Sequence, residues 1–389
     1  MSRFAIRSDR TVFPDCERPG FLTVGGGRIL SFSAAPPGEN IPVYDFGESY
    51  VLPGFVELHT HGAGGHPFLT SDPREIAAGC AVHLRHGATT VLPTVSAAPF
   101  PAMRAATAAV STAKKELSGG GVGGGPRIPG VHLEGPYLSE KQSGAQSTDF
   151  LTHPVPSDYV SLADAFPGDI ARWTYAPEKD SDGSFCSFLR SRGILASAGH
   201  TDAVLGDMER AVASGCRLVT HLYSCTSTVT RHGGFRSPGV IESAFIIDSL
   251  YAELIGDGKH LPAELVKMAV KIKGRDRVIL VSDCLDIAGT DIREGEMSGV
   301  PFIVEDGVCK LRSREAFAGS VALSDRIFAF AVGECGFSPS DASVMMSKNP
   351  AELIGLDVGV LAPGKLADIT VVDPGLRVCA VFTEGRRSV

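Results

Sequence analysis

Between residues 53 and 283 the chain alternates eight short apolar, β-prone segments with longer stretches of helical character, and few folds accommodate that rhythm. The segments are GFVEL ahead of His59, ATTVLPTV at 88–95, RIPGVHL ahead of Glu134 and ARWTYAP at 171–177. They continue with GILASAG ahead of His200, CRLVT ahead of His221, SLYAELIG at 249–256 and RVILVS ahead of Asp283. PREIAAGCAVHLRHG, FPAMRAATAAVSTAKKEL, AVLGDMERAVASG and PAELVKMAVKIKG are the intervening helical stretches. Apolar strands joined by crossover helices pair in parallel, and eight such units specify a closed (β/α)8 TIM barrel. Such a barrel keeps its chemistry at the C-terminal ends of its strands.

The two ends of the chain read differently. FAIRS, GFLTVGGGRILSFS and IPVYDFG in residues 1–52 are short strands with glycine and proline punctuation, and GVLAPGKLADITVVDPGLRVCAVFTEG near the C-terminus alternates in the same way. Residues 1–52 and 355–389 are therefore expected to pair into a small β-sandwich flanking a barrel of residues 53–354, with SPSDASVMMSKNPAELIGL as one or two helices before the return. GGGVGGG at 119–125 precedes a strand rather than opening a helix, so it reads as a flexible connection and not a phosphate loop.

A hydrophobic fraction of 43% supports a large core, and a net charge of −8 argues against a nucleic-acid surface or a polybasic membrane contact. MSRFAIRSDRTVF lacks the apolar stretch of a signal peptide, and no apolar run approaches the roughly 18 residues of a membrane span. Nine cysteines without CxxC spacing fit buried thiols in a reducing compartment. A cytoplasmic protein is expected.

Polar groups that bind metals or move protons stand where the apolar segments stop. His59 and His61 flank Thr60, so an extended strand points both imidazoles to one side, either to share a metal or as hydrogen-bonded polar residues at a strand end. Glu134 follows Val131 and Leu133, where an anion is costly to bury without a cation. An oxygen ligand beside imidazoles suits Zn²⁺ or Fe²⁺. His200 and His221 end successive strands one βα repeat apart, so neighbouring strands present them side by side. Asp283 closes the last strand, as general base and then general acid or as the N-cap of a following helix. His260, in the loop DGKH, either polarises a substrate carbonyl or is merely solvated. His132 is expected on the other side of its strand without a role, and His83 and His86 on a helix surface. His66, His153 and His232 have weaker contexts.

With those residues in hand, PGFVELHTHGAGG, GVHLEGPYLS, AGHTDA, THLYS, IGDGKH, LVSD, AGS at 318–320 and NPAELIGLDVGVLAPGKLADITVVD resemble the N-acetylglucosamine-6-phosphate deacetylase family of the amidohydrolase superfamily, over nearly the whole chain. The resemblance implies one or two divalent ions held by Glu134, His200 and His221, with His59 and His61 at a second position. It implies Asp283 as acid/base and His260 as the carbonyl-polarising group. The substrate would be an amino-sugar phosphate contacted by Ser224, Cys225, Arg231, Ala145, Gln146 and Gly319, in a homodimer whose interface brings Arg231 or a neighbour to the phosphate. Two departures fall on recognition: Ser224-Cys225-Thr226 stands where the family has Asn-Ala-Met, and Gln146 where it often has histidine. The hydroxyl-rich run Ser224–Thr228, followed by Arg231 and Arg236, reads as a phosphate site or as a polar surface loop.

Two rival functions remain. An amidohydrolase of another N-acyl or cyclic amide commonly carries a carboxylated lysine ending strand four, where this chain has Ala176-Pro177-Glu178 and Lys179 beyond. A non-catalytic binding barrel is expected to have lost a ligand or the strand-eight acid, and this chain keeps them.

Overall fold

The computed structural model describes residues 3–118, 125–297 and 300–389. The Gly-rich stretch 119–125 lies outside them except for Gly125. Eight parallel strands form one sheet in chain order: Phe55–Thr60, Ala88–Val95, Val131–Glu134, Ile170–Tyr175, Leu195–Ala198, Leu218–Val219, Tyr251–Ile255 and Val278–Val281, here strands one to eight. The eighth returns to the first, where Asp283 N–H donates to the His59 carbonyl at 2.9 Å and Thr60 bridges Cys284 in parallel. The expected barrel closes.

A helix follows every strand: Pro73–Arg85, Phe100–Ser118, Pro156–Ala165, Ser184–Ser191, Leu205–Ser214, Val240–Ile246, Ala263–Lys273 and Ser324–Gly333. The first shows why these segments are helical. The Asp72 carboxylate caps the Arg74 N–H at 2.9 Å and Pro73 opens the first turn, where no amide partner is needed. Ile76, Cys80 and Leu84, four apart, form its buried stripe. Gly87, at φ +91°, ends the segment in a backbone shape that L side chains resist. Strand residues such as Val91, Trp173 and Leu254 pack on helix residues such as Met103, Phe185 and Val266 in one cluster. Each such side chain contributes roughly 1.5–3 kcal/mol on burial.

The barrel interior below its mouth is polar. His59, His132, Arg172, Thr174, Thr220 and Glu253 are all 0% exposed. Such groups are costly unless they satisfy one another, and they do so in the network described below.

Both chain ends meet in a second eight-stranded sheet, as the alternation at each end predicted. Tyr50–Pro53 pairs antiparallel with Ile369–Val372, and Ile6, Leu22, Ile29, Val51, Ile369 and Phe382 form its own core. The segment before the return is helical in three consecutive pieces, Pro339–Ser343, a π-turn Val344–Lys348 and Asn349–Leu353. Asn349 Nδ2 donates to the Val278 carbonyl at 2.8 Å and so fixes this segment to strand eight.

A further sheet goes beyond the sequence reading. After strand eight the chain forms a four-stranded antiparallel sheet, Glu294–Met297, Val300–Glu305, Val308–Leu311 and Phe317–Gly319. Leu285 N–H donates to the Ser320 carbonyl at 3.0 Å, which ties this sheet to the barrel mouth.

Candidate active site and metal centre

Strands three, five, six and eight deliver Glu134, His200, His221 and Asp283 to one end of the barrel, and strand one delivers His59 and, just beyond it, His61. His200, His221 and Asp283 leave their strands at φ +46°, +30° and +46°. Non-glycine residues occupy that left-handed region at a cost of about 1–3 kcal/mol each. Three such turns at the same end of the barrel mark backbone shapes kept for what the side chains do.

Glu134 Oε1 stands 3.3 Å from the Nε2 of His59, 3.3 Å from that of His200 and 3.2 Å from that of His221. Asp283 Oδ1 stands 3.3 Å from His59 Nε2 and 3.2 Å from His61 Nε2. Each imidazole is held by its other nitrogen. His200 Nδ1 donates to the Gln142 carbonyl at 2.9 Å, His221 Nδ1 to the Ser224 carbonyl at 3.0 Å, and His59 Nδ1 to Glu253 Oε1 at 3.0 Å. His61 Nδ1 pairs with Ser96 Oγ at 2.9 Å. A carbonyl only accepts, so the proton of a neutral ring sits on Nδ1 and the Nε2 lone pair faces the centre.

That donor set fits a divalent cation. The Nε2 atoms of His200 and His221 face each other at 3.1 Å, a repulsive meeting of lone pairs unless a cation lies among them. Two overlapping groups could hold one, His59 with His61 and Glu134, and Glu134 with His200 and His221, each with its ligand atoms within 4.8 Å of one another. The electrostatics agree. Burial lowers the tendency of His59 to charge, yet Asp283 and Glu134 push it up to about 10, so the cluster calls for positive charge. Burial raises the Asp283 carboxyl, but the charge on His59 and the hydrogen bond from His61 outweigh it and hold it below the usual carboxylate range.

The residues behind this cluster went unread in the sequence. Arg172, on strand four, places Nη1 2.5 Å from Glu253 Oε2 and Nη2 3.0 Å from Oε1, and also donates to the Leu58 carbonyl, Ser197 and Thr220. Glu253 in turn holds His59 Nδ1 and the His221 N–H. The available signal was a charge inside each of two apolar strands, ARWTY and YAELI. Asp257, likewise unread, takes the His260 Nδ1–H at 2.7 Å.

Two histidine readings need correction. His132 is not on the other side of its strand: residues two apart share a side, so it lies beneath Glu134 with its ring 4.7 Å from that of His59. Its nitrogens pair with Thr94 and Thr174. His83 is not on a helix surface but 0% exposed, with Nε2 2.9 Å from Thr60 Oγ1 and 3.2 Å from the Gly62 carbonyl. His86 pairs with Asp325 and His66 with Glu75, away from the centre, and His153 is exposed. The side chain of His232 lies outside the described residues. Asp283 caps no helix, because the next one begins at Ser324.

A cavity of about 260 Å³ opens over the cluster, lined by His61, Glu134, His200, His221 and Asp283 together with Ala145, Gln146, Ser224, Cys225, His260 and Gly319. Gln146 Nε2 donates to Glu134 Oε2 at 2.7 Å, the oxygen that also stands 3.4 Å from His61 Nε2. The His260 side chain is only 9% exposed, so it is not a solvated loop residue. Cys225, at φ +52°, presses its sulfur toward Gly144, where an added Cβ would come within 2.5 Å of it. Arg231 stands apart from this lining, on the hairpin Thr230–His232 with Phe235–Ser237, whose Phe235 is 84% exposed. Lys179 pairs with Glu140 at 2.6 Å rather than with the cluster.

Comparison with known proteins accords with this geometry. The chain is 26% identical to the N-acetylglucosamine-6-phosphate deacetylase of Lysinibacillus sphaericus over 366 residues, 92% of this chain and 91% of that one. It is 25% identical to the N-acetylgalactosamine-6-phosphate deacetylase of Escherichia coli O157:H7 over 368 residues, 94% of this chain and 93% of that one. The structure of N-acetyl-D-glucosamine-6-phosphate deacetylase from Mycobacterium smegmatis, in complex with N-acetyl-D-glucosamine-6-phosphate, is similar at a TM-score of 0.91 and 28% identity over 100% of both chains. The model of the amidohydrolase family matches residues 189–387, half of the sequence, and the chain belongs to that family.

Proposed function

We propose that the protein removes the N-acetyl group from an amino-sugar 6-phosphate, N-acetylglucosamine-6-phosphate in the first instance, giving acetate and the free amine. The observation that carries this reading is the meeting of Glu134, His200 and His221 beside Asp283 at the floor of one cavity. The similar relatives named as deacetylases of such sugar phosphates support the substrate class.

Glu134, His200 and His221 would hold a divalent ion, Zn²⁺ or Fe²⁺, and His59 and His61 with Glu134 a second. Such an ion, when bound, brings the pKa of water toward neutrality and polarises the acyl carbonyl. Asp283, ionised at neutral pH, takes the proton of the attacking water at its carboxylate and then hands it to the nitrogen of the leaving amine. His260 faces the carbonyl oxygen as negative charge develops. With Nδ1–H given to Asp257, donation from Nε2 requires the doubly protonated ring, for which the Asp257 carboxylate is the counter-ion. Ala145, Gln146 and Gly319 shape the sugar site, and Ser224 and Cys225 stand at the end of strand six toward which the phosphate points. Arg231 reaches the phosphate from the hairpin of a second copy in a homodimer, a role in keeping with its place outside the lining of its own cavity.

All nine cysteines are free thiols, in keeping with a reducing, cytoplasmic setting. Among the described residues no helix is long and apolar enough to cross a membrane. The test is amine release by purified, metal-reconstituted protein from N-acetylated hexosamines with and without 6-phosphate, in both the gluco and galacto series. Release only from a cyclic or peptide amide would overturn the reading.

A further inference from the structure

A second cavity, of about 440 Å³, adjoins the reaction cavity and shares His61, Ser96 and Leu285 with it. It opens at the ends of strands one and two and under the sheet that follows strand eight, where Pro67, Leu69, Ile287, Ile292 and Phe302 supply apolar walls. Nothing in the proposed deacetylation uses this space. An acetyl methyl fills little more than the volume of one water, roughly 30 Å³.

The placement of the two cavities gives it an occupant. On the proposed reading, on which this inference rests, the scissile amide lies over Asp283 and His61 and the phosphate end lies toward Ser224 and Cys225, after strand six. Strands one and two lie across the closed barrel from strands five and six. A substrate so oriented points its acyl group away from the sugar, past His61, into the second cavity. We infer that this cavity is an acyl site, and that the enzyme hydrolyses amino-sugar phosphates carrying neutral N-acyl chains of three to about six carbons as well as acetyl.

The charge lining this cavity sets the class. Asp286, Glu294 and Glu296 line the same cavity, so an acyl chain ending in a carboxylate meets like charge, whereas an alkyl chain meets the apolar walls. The reaction is otherwise unchanged. Water oxygen bonds to the acyl carbon, the C–N bond breaks, a water proton goes to the amine, and the carboxylate leaves, with no other reactant.

The experiment compares N-acetyl-, N-propionyl-, N-butyryl-, N-hexanoyl- and N-succinyl-glucosamine-6-phosphate as substrates of the metal-loaded full chain, by amine release. The expected kcat/KM for butyryl lies within about tenfold of that for acetyl, with succinyl at least about a hundredfold lower. Ile292→Trp, at a side chain 43% exposed, and Leu69→Trp each fill the cavity from a different wall. Each should lower butyryl turnover by about tenfold or more and leave acetyl turnover nearly unchanged, the scale on which apolar pockets discriminate chain length. Two variants guard against one failing to fold. Acetyl turnover with butyryl rejected by more than about a hundredfold in the wild type overturns the acyl site and leaves the deacetylase reading standing. Equal losses of acetyl and butyryl turnover in both variants also overturn it. Release from no sugar phosphate overturns both.

Discussion

Replacing Glu253 by alanine should cost the barrel about 3–5 kcal/mol of stability. The carboxylate and Arg172 are both 0% exposed and are joined by two bonds, at 2.5 and 3.0 Å. Removing one partner leaves a buried guanidinium uncompensated, about 3–5 kcal/mol. The depressed Glu253 carboxyl points the same way. Burial pushes its carboxyl up, but Arg172 and His59 draw it from 4.5 down to about 2. At about 1.4 kcal/mol per unit, that difference is worth roughly 3 kcal/mol. The depressed pKa also fixes the sign: this stability is fully present above pH 4.5 and is lost as pH falls toward 2. The single tryptophan, Trp173, is buried next to Arg172 and reports unfolding by fluorescence in urea. The double variant Glu253→Leu/Arg172→Met should recover much of the loss, since a buried pair replaced by apolar groups of similar volume is often neutral. Metal affinity should stay about 10–100-fold down in both, because His59 has lost the carboxylate that orients it. A loss below about 1 kcal/mol for Glu253→Ala, or a double variant weaker than the single, would refute the claim that the pair is dry and mutually dependent.

Three further outcomes are expected. Asp283→Asn should keep its metal, by elemental analysis, while turnover falls by about 10²–10⁴; a rate that barely changes would move the proton shuttle elsewhere. Arg231→Ala should lower kcat/KM for the 6-phosphorylated sugar far more than for its unphosphorylated analogue, and equal losses would make the hairpin a bystander. His83, whose buried ring is pushed from 6.5 down to about 4, binds a proton more readily in the unfolded chain between those values. Wild-type stability should therefore fall by about 3 kcal/mol more than that of His83→Gln as pH drops from 6.5 to 4, read from paired urea titrations.

Most of the barrel was legible because its strands are buried on both faces and so read as unbroken apolar runs. ATTVLPTV at 88–95 coincides with Ala88–Val95. Strand six is the least legible, with only Leu218–Val219 in the ladder, because the chain turns toward the left-handed His221 almost at once. The sheet after strand eight went unread although VEDGVCKL holds a hairpin signal, Asp306-Gly307, with φ of +55° and +78°. Polar residues were harder to read than apolar ones. Strand ends announced Glu134, His200, His221 and Asp283, whereas the partners of His83, Arg172 and Glu253 are distant in sequence and local pattern does not encode them. His132 is different, since alternation within VHLE already placed it under Glu134.

The polar barrel interior and the strained turns above it have one physical explanation. Arg172 donates to groups on strands one, five and seven and just past strand six, through Leu58, Ser197, Glu253 and Thr220. A slip in the register of any of these strands would leave a buried donor unmet, at about 1–3 kcal/mol. Glu253 passes that constraint upward by holding His59 through its ring and His221 through its backbone N–H. His221 is itself a left-handed residue, so the network that fixes strand register also holds its strained turn in place. An apolar filling of similar volume could stabilise the barrel equally well, but it would leave His59 Nδ1 without an acceptor and the ring free to turn. The buried charges thus serve the placement of the imidazoles more than stability, and the Glu253–Arg172 double variant separates the two by recovering stability without metal affinity.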